Sequence, residues 1–291
     1  MKLVTFTHQG STRIGVISDD AVVDLAAAAP ELPREMIAFL SAGADAMERA
    51  RKAASQSGSR ISLAQVKLEA PIKHPPEFLA IGLNYSDHIA ETGREKPQFP
   101  MFFNKQSSCV NGPYDPIHLP RASGALDYEG ELGFVIGRRC RHVPHDRAHE
   151  VIAGYMIVND VSVRDWQRRA PTMTLGKSFD THGPTGPWIV TPDEIKDPHA
   201  LDLRTLVNGE ERQHSNTKYL IFDCFSQVET LSTVFTLEPG TIVSTGTPSG
   251  VAAAMKPPKW LKAGDTVRIE IEKIGHIEAR VIDEPAETTR I

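Results

Sequence analysis

Three carboxylates carry the first chemical signal in the chain. Glu129 and Glu131 stand two apart at the head of the apolar run Leu132-Gly133-Phe134-Val135-Ile136. On a strand, residues i and i+2 point to the same face, so both carboxylates would face one way, close together. Like charges so placed ionise together comfortably only around a cation. A third acid, Asp160, ends another apolar run, Gly154-Tyr155-Met156-Ile157-Val158-Asn159. An all-oxygen donor set without histidine or thiolate suits a hard ion such as Mg²⁺, Mn²⁺ or Ca²⁺. The plainer alternative is a strand edge that shows two glutamates to water. The run after Glu131 reads as buried on both faces and weighs against it.

Other groupings offer less. Gly176-Lys177-Ser178 has the ending of a phosphate-binding loop, but Pro171 stands where that motif needs its first glycine. No Gly-x-Gly-x-x-Gly follows a strand, and in Gly246-Thr247-Pro248-Ser249-Gly250 the serine falls one place too late for a nucleophile elbow. His145 and His149 have a ligand spacing, with His142 nearby. Pro144 interrupts any helix that would hold all three, and Arg138, Arg139, Arg141, Asp146 and Arg147 surround them. A charged, solvated segment is the better reading there.

The elements that must position these groups fall into two parts. Lys2–Thr7, Arg13–Ile17 and Ala21–Leu25 read as strands, and 34–42 and 44–54 as helices rich in good helix formers. A polar break at 55–59 and a strand at 61–68 follow. The Pro-rich stretch 71–76 reads as a stiff linker, which divides the chain into residues 1–72 and 73–291. From Phe78 onward, short apolar runs alternate with turn residues. Strands are expected at 79–82, 101–104, 129–136, 156–160, 188–191, 203–207, 241–244 and 266–274. Asn208-Gly209 is a hairpin turn of the I′ kind. Short helices are expected at 86–92, 148–153, 165–169 and 226–233. The pattern is β-rich α+β, not a doubly wound parallel sheet.

Composition sets the outer bounds. The 291 residues carry 32 Lys and Arg against 37 Asp and Glu, a net charge of −5. That argues against a nucleic-acid partner, although a local pocket can still favour an anion. Cys109, Cys140 and Cys224 form no Cys-x-x-Cys pair, and so sparse a count suits a reducing compartment. The N-terminus lacks the apolar core of a signal peptide, and no stretch matches a membrane helix, so a cytoplasmic protein without a membrane partner is the expectation.

Six ordered stretches give the chain a specific resemblance. They are Gly82-Leu83-Asn84-Tyr85-Ser86-Asp87-His88, Asp127-Tyr128-Glu129-Gly130-Glu131-Leu132, Asn159 to Asp165 with Gln167, Gly176 to Asp180, Val207-Asn208-Gly209-Glu210, and Ser244 to Val251. In order and rough spacing they resemble the fumarylacetoacetate hydrolase (FAH) family over about residues 75–285. The resemblance implies a mixed β-sandwich roll, with the first residues as a small N-terminal α/β domain, and a homodimer.

It also implies roles. Glu129, Glu131 and Asp160 match metal ligands for Mg²⁺ or Mn²⁺, with Ca²⁺ able to stand in within crystals. His88 and Glu91 match a base and its orienting partner on a short lid helix, and Arg164, Gln167 and Lys177 match polar pocket residues. Thr247, with Gly246 and Tyr85, falls at substrate-binding positions. Asp87 and Asp127 are expected to point elsewhere. The implied reaction is hydrolysis of a C–C bond in an acylpyruvate or fumarylpyruvate-type β-diketo acid through a metal-bound enolate. The alternatives are a decarboxylase or isomerase of oxaloacetate or 2-hydroxyhepta-2,4-diene-1,7-dioate-type acids, and a non-catalytic metal- or ligand-binding protein on the same scaffold. The residues that choose the substrate are expected in 98–109 and 168–175. There Lys105, Arg168 and Arg169 suit a second carboxylate or are ordinary surface cations.

Overall fold

Strand pairing in the computed structural model, which describes residues 1–56, 58–93 and 95–289, gathers most of the chain into one large sheet. Ser57, in the expected polar break, lies outside the described residues. The twelve-stranded sheet runs, by neighbour, Arg60–Ser62, Ala21–Asp24, Ser11–Ser18, Lys2–His8, Gly183–Val190, Ile152–Asn159, Gly130–Ile136, Ile242–Ser244, Phe78–Gly82 and Met101–Lys105, with Lys67–Leu68 and Val110–Asn111 attached at its sides. The architecture is the expected strand-rich α+β. The N-terminal strands join the same sheet, because Lys2 and Leu3 pair with Val190 and Ile189.

The central strand Gly130–Ile136 is buried throughout, and its two faces go to different cores. Leu132, Phe134 and Ile136 pack with Leu203, Ile269 and Ile277 of a second, five-stranded sheet. That sheet orders Glu210–Asn216, Asp202–Val207, Thr266–Ile271, Gly275–Asp283 and Ile117–Leu119. Val135 turns the other way, toward Leu3, Met36, Phe39 and Leu40 beneath the helices Met36–Ser41 and Gly43–Gln56. Period-two alternation inside one apolar run thus builds both layers. Gly130 lets the second sheet come close, since a Cβ there would lie 2.2 Å from Thr205 Oγ1.

Several local expectations change. The strand expected at 61–68 is split by a 3-10 turn, Leu63–Gln65. Residues 148–153 are not an α-helix: a 3-10 turn, His145–Glu150, leads straight into the strand Ile152–Asn159. There, burial of Ile152 and Ala153 in the sheet overrides local helix propensity. The 71–76 stretch is packed rather than free, with Ile72 fully buried. The longest strands outside these expectations are Glu210–Asn216 and Gly275–Asp283, with shorter ones such as Ile117–Leu119 besides. The Asn208-Gly209 turn has both residues at positive φ, as a I′ turn requires. Among the described residues no helix is long and apolar enough to cross a membrane.

Candidate active site

Antiparallel register brings the three carboxylates together. Gly130 pairs with Asn159 and Glu131 with Val158. One step further, Asp160 falls opposite Glu129, and its N–H donates to the Glu129 carbonyl at 2.9 Å. Glu129, Glu131 and Asp160 each offer an oxygen within 4.8 Å of the others, and all three are buried.

Their surroundings are densely wired. Lys177 Nζ, from the short helix Thr174–Lys177, donates to Glu129 Oε2 at 2.5 Å and Asp160 Oδ2 at 2.7 Å. Arg164 donates through Nη2 to Glu129 Oε1 at 2.6 Å and through Nε to Asp127 Oδ2 at 2.8 Å. Glu131 Oε2 accepts from Ser244 Oγ at 2.6 Å and from the Gly246 N–H at 2.8 Å. Lys105 is buried and donates to Asp160 Oδ1 at 2.7 Å, to the His182 carbonyl at 3.0 Å, and to the Lys177 carbonyl. It is neither a surface cation nor a pocket group, because its ammonium is spent holding Asp160.

The formal charge of this cluster tests its fit to a cation. Asp127, Glu129, Glu131 and Asp160 face Arg164, Lys177 and Lys105, which leaves one negative charge without a partner. Burial raises the Glu129 carboxyl, but the Arg164 and Lys177 charges outweigh it and hold it at about 2. Glu131 goes the other way: burial, then the Asp160 and Glu129 charges, push it well above the usual carboxylate range. A buried oxygen-donor set short of positive charge fits a hard divalent cation on Glu129, Glu131 and Asp160.

A cavity of about 510 Å³ opens from this cluster, lined by Glu129, Glu131, Arg164, Gln167, Lys177, Thr247 and His88 among others. His88 sits on the helix Ser86–Thr92, with Nδ1 3.1 Å from Glu91 Oε2. Glu91 Oε1 in turn accepts from the Gly250 N–H at 3.0 Å, and Asp87 Oδ2 accepts from Ser215 Oγ at 2.7 Å. Glu91 thus ties the helix to the Gly246–Gly250 loop, and Asp87 ties it to the strand Glu210–Asn216. Two non-glycine residues in the wall, Leu83 and Met173, have φ of 55° and 58°. Such left-handed backbone costs about 1–3 kcal/mol each and concentrates where a site dictates conformation.

The remaining expected residues differ in what they offer. Gln167 Oε1 accepts from Arg164 Nη1 at 3.0 Å. Thr247 Oγ1 donates to the Gly130 carbonyl at 3.0 Å and accepts from Gln213 Nε2 at 2.8 Å. The Gly246 N–H is committed to Glu131; its φ of 96° and a phantom Cβ contact of 2.8 Å with Asn84 explain the glycine. Tyr85 does not line the cavity; it is fully buried and its hydroxyl has no hydrogen-bond partner among the described residues. The histidines 142, 145 and 149 do not converge. His145 Nε2 instead meets Asp223 at 3.1 Å and His149 packs edge-on to Phe225.

Asp127 is not one of the three converging carboxylates, but it organises the site. Its oxygens accept from the N–H groups of Tyr128, Ala252 and Ala253 and from Arg164, so Arg164 is held between two carboxylates. Asn84 ties Phe222 and Thr245 together through three bonds of 2.7–2.9 Å. Asp127, Ser244 and Asn84 had no expected site role, and Lys105 was expected only as a cation for a second carboxylate or as a surface group. All but Lys105 lie inside the quoted motifs, which was the available signal.

Fold and cluster define a strand-rich scaffold with an acid-lined cavity, and comparison with known proteins gives it a family. Residues 77–282 match the fumarylacetoacetate (FAA) hydrolase C-terminal family. The chain is 41% identical over 288 residues to a mitochondrial oxaloacetate tautomerase of Xenopus laevis, covering 97% of this chain and 90% of that one. A maleylpyruvate hydrolase from Sphingobium sp. SYK-6, solved with manganese(II) and pyruvate, superposes with a TM-score of 0.82 at 33% identity over 98% of this chain and all of that one. A 2-hydroxyhepta-2,4-diene-1,7-dioate isomerase from Mycobacterium marinum gives 0.78 at 33% identity, over 98% of this chain and 99% of that one. The chain belongs to the fumarylacetoacetate hydrolase family, whose members here are hydrolases, isomerases and a tautomerase.

Proposed function

We propose that this protein is a divalent-cation-dependent enzyme that hydrolyses a C–C bond in a small acylpyruvate-type β-diketo acid. The observation that carries the reading is His88, paired with Glu91, on the wall of the cavity that reaches Glu129 and Glu131 of the carboxylate cluster. Hydrolysis needs a base beside an electrophilic centre, and the pair supplies one within reach of a cation site. Glu129, Glu131 and Asp160 would hold Mg²⁺ or Mn²⁺, which when bound polarises a substrate carbonyl. His88 Nε2 would take a proton from water while Glu91 holds Nδ1. The hydroxide oxygen would bond to the acyl carbonyl carbon, and the C–C bond would then break, giving the acyl fragment as a carboxylic acid and leaving the electron pair on the pyruvate fragment, which gains a proton. Lys177 would face the negative charge on that fragment, and Arg164, fixed by Asp127, would keep Glu129 and Gln167 in place.

The test is turnover of acetylpyruvate by the full chain with Mn²⁺, read as loss of ultraviolet absorbance. No turnover of acetylpyruvate or fumarylpyruvate would overturn hydrolysis. A second reading, keto–enol proton transfer or decarboxylation on oxaloacetate, is favoured by the 41% identity to a tautomerase. It predicts that oxaloacetate is consumed and acetylpyruvate is not. The same proposal includes a homodimer, checked by light scattering. It also keeps the division into residues 1–72 and 73–291, checked by limited proteolysis across 71–76.

A further inference from the structure

We propose that Arg168 reads a second carboxylate at the outer end of the cavity, so that the site takes keto dicarboxylates in preference to keto monocarboxylates. This rests on the functional reading above and names its substrate class. One wall of the cavity comes from the helix Arg164–Gln167, the turn after it, and the helix Thr174–Lys177. The two helices touch at Gly176, where a Cβ would lie 2.2 Å from the Gln167 nitrogen. That wall supplies cations at both ends, and they differ in commitment.

At the inner end, Arg164 and Lys177 are paired with Asp127, Glu129 and Asp160. Arg168 also lines the cavity, yet its side chain forms no ion pair among the described residues. The lining acids, Glu129 and Glu131, both belong to the inner cluster, and Glu91 behind His88 is held by the Gly250 N–H, so among the described residues no other lining acid stands by to claim Arg168. The Arg168 N–H bonds to the Arg164 carbonyl at 3.3 Å. It therefore stands one helical turn further on, about 6 Å along the same face. A keto acid held by its head at the carboxylate cluster would meet Arg168 with a group one turn away. A guanidinium favours a carboxylate there. Arg169 also lines the cavity, but its guanidinium stacks on Trp166 at 3.6 Å from the ring centroid. It is the natural control.

The experiment compares two ligands by calorimetric titration of the Mn²⁺-loaded full chain. 2-Oxoglutarate and 2-oxopentanoate share a keto acid head and chain length, and only the first has a distal carboxylate. The wild type is expected to prefer 2-oxoglutarate by on the order of tenfold. Arg168→Met should abolish the preference and leave 2-oxopentanoate and Mn²⁺ affinity within about twofold. Arg168→Lys should keep part of it, and Arg169→Met most of it. An undiminished preference in Arg168→Met overturns the assignment and leaves the proposed function standing. If neither ligand binds the Mn²⁺-loaded wild type, the functional reading itself falls, and this assignment with it.

Discussion

The two ends of the cavity are built on opposite principles. At the inner end, carboxylates and cations are buried and joined by bonds of 2.5–2.8 Å, with the side chains of Lys177 and Asp160 exposed by only 2% and 1%. At the outer end, the His88 and Glu91 side chains are 12% and 24% exposed, and Arg168 lies open to water. A buried charge needs partners on every side, so the inner end is rigid and over-determined. The outer groups keep their hydration and can rearrange around a ligand. The inner end suits a cation and its fixed chemistry, and the outer end suits the choice and closure of substrate.

The contrast can be tested by variants of decreasing effect. Glu131→Ala removes an inner ligand; its loss of Mn²⁺ affinity should go well beyond the ~10–100-fold typical of an outer partner. Titration followed by electron spin resonance would read it, and undiminished binding would undo the inner-end assignment. His88→Ala should slow hydrolysis by about 10²–10⁴-fold and leave Mn²⁺ binding unchanged, which separates base from ligand. Ser244→Ala takes one hydrogen bond from Glu131 Oε2 and should cost about 10–100-fold in Mn²⁺ affinity. Because Glu131 holds its proton well above the usual range, cation binding should release a proton and weaken as pH falls.

The smallest effect lies behind the cluster, at His182, whose carbonyl accepts from Lys105. Burial holds its imidazole at about 3. An unfolded histidine takes a proton below about 6.5, and the folded one does not until about 3. Its contribution to stability is therefore present above pH 6.5 and lost as pH falls through that window. The slope is at most about 1.4 kcal/mol per pH unit. His182→Gln should flatten this part of a urea-denaturation profile. An unchanged profile would mean that the inner end has no such acid-sensitive backing.

What could be read ahead of the structure follows the range of each interaction. The Glu129–Glu131 relation is two residues long and period two gives it. Asn208-Gly209 gives a hairpin, and that turn also implied the unread strand Glu210–Asn216, whose polar residues hid it. Lys105 was misjudged because a lone lysine in a polar-looking segment carries no mark of burial. Asp127 was expected to point elsewhere as a neighbour of site residues. It stands two before Glu129 and shares Arg164 with it, and its oxygens also meet the 252–253 backbone.

The chain's own order of residues determined the donor types, the family motifs and the alternation that buries Gly130–Ile136 on both faces. Those are local facts of side-chain chemistry and strand period. The tertiary structure alone decided that Asp160 stands opposite Glu129, that Lys105 reaches Asp160, and that the Arg168 side chain has no ion pair among the described residues. Each depends on strand register or on packing between segments far apart in sequence. No local pattern encodes such distances, because they are set by how the two sheets and the helices close on one core.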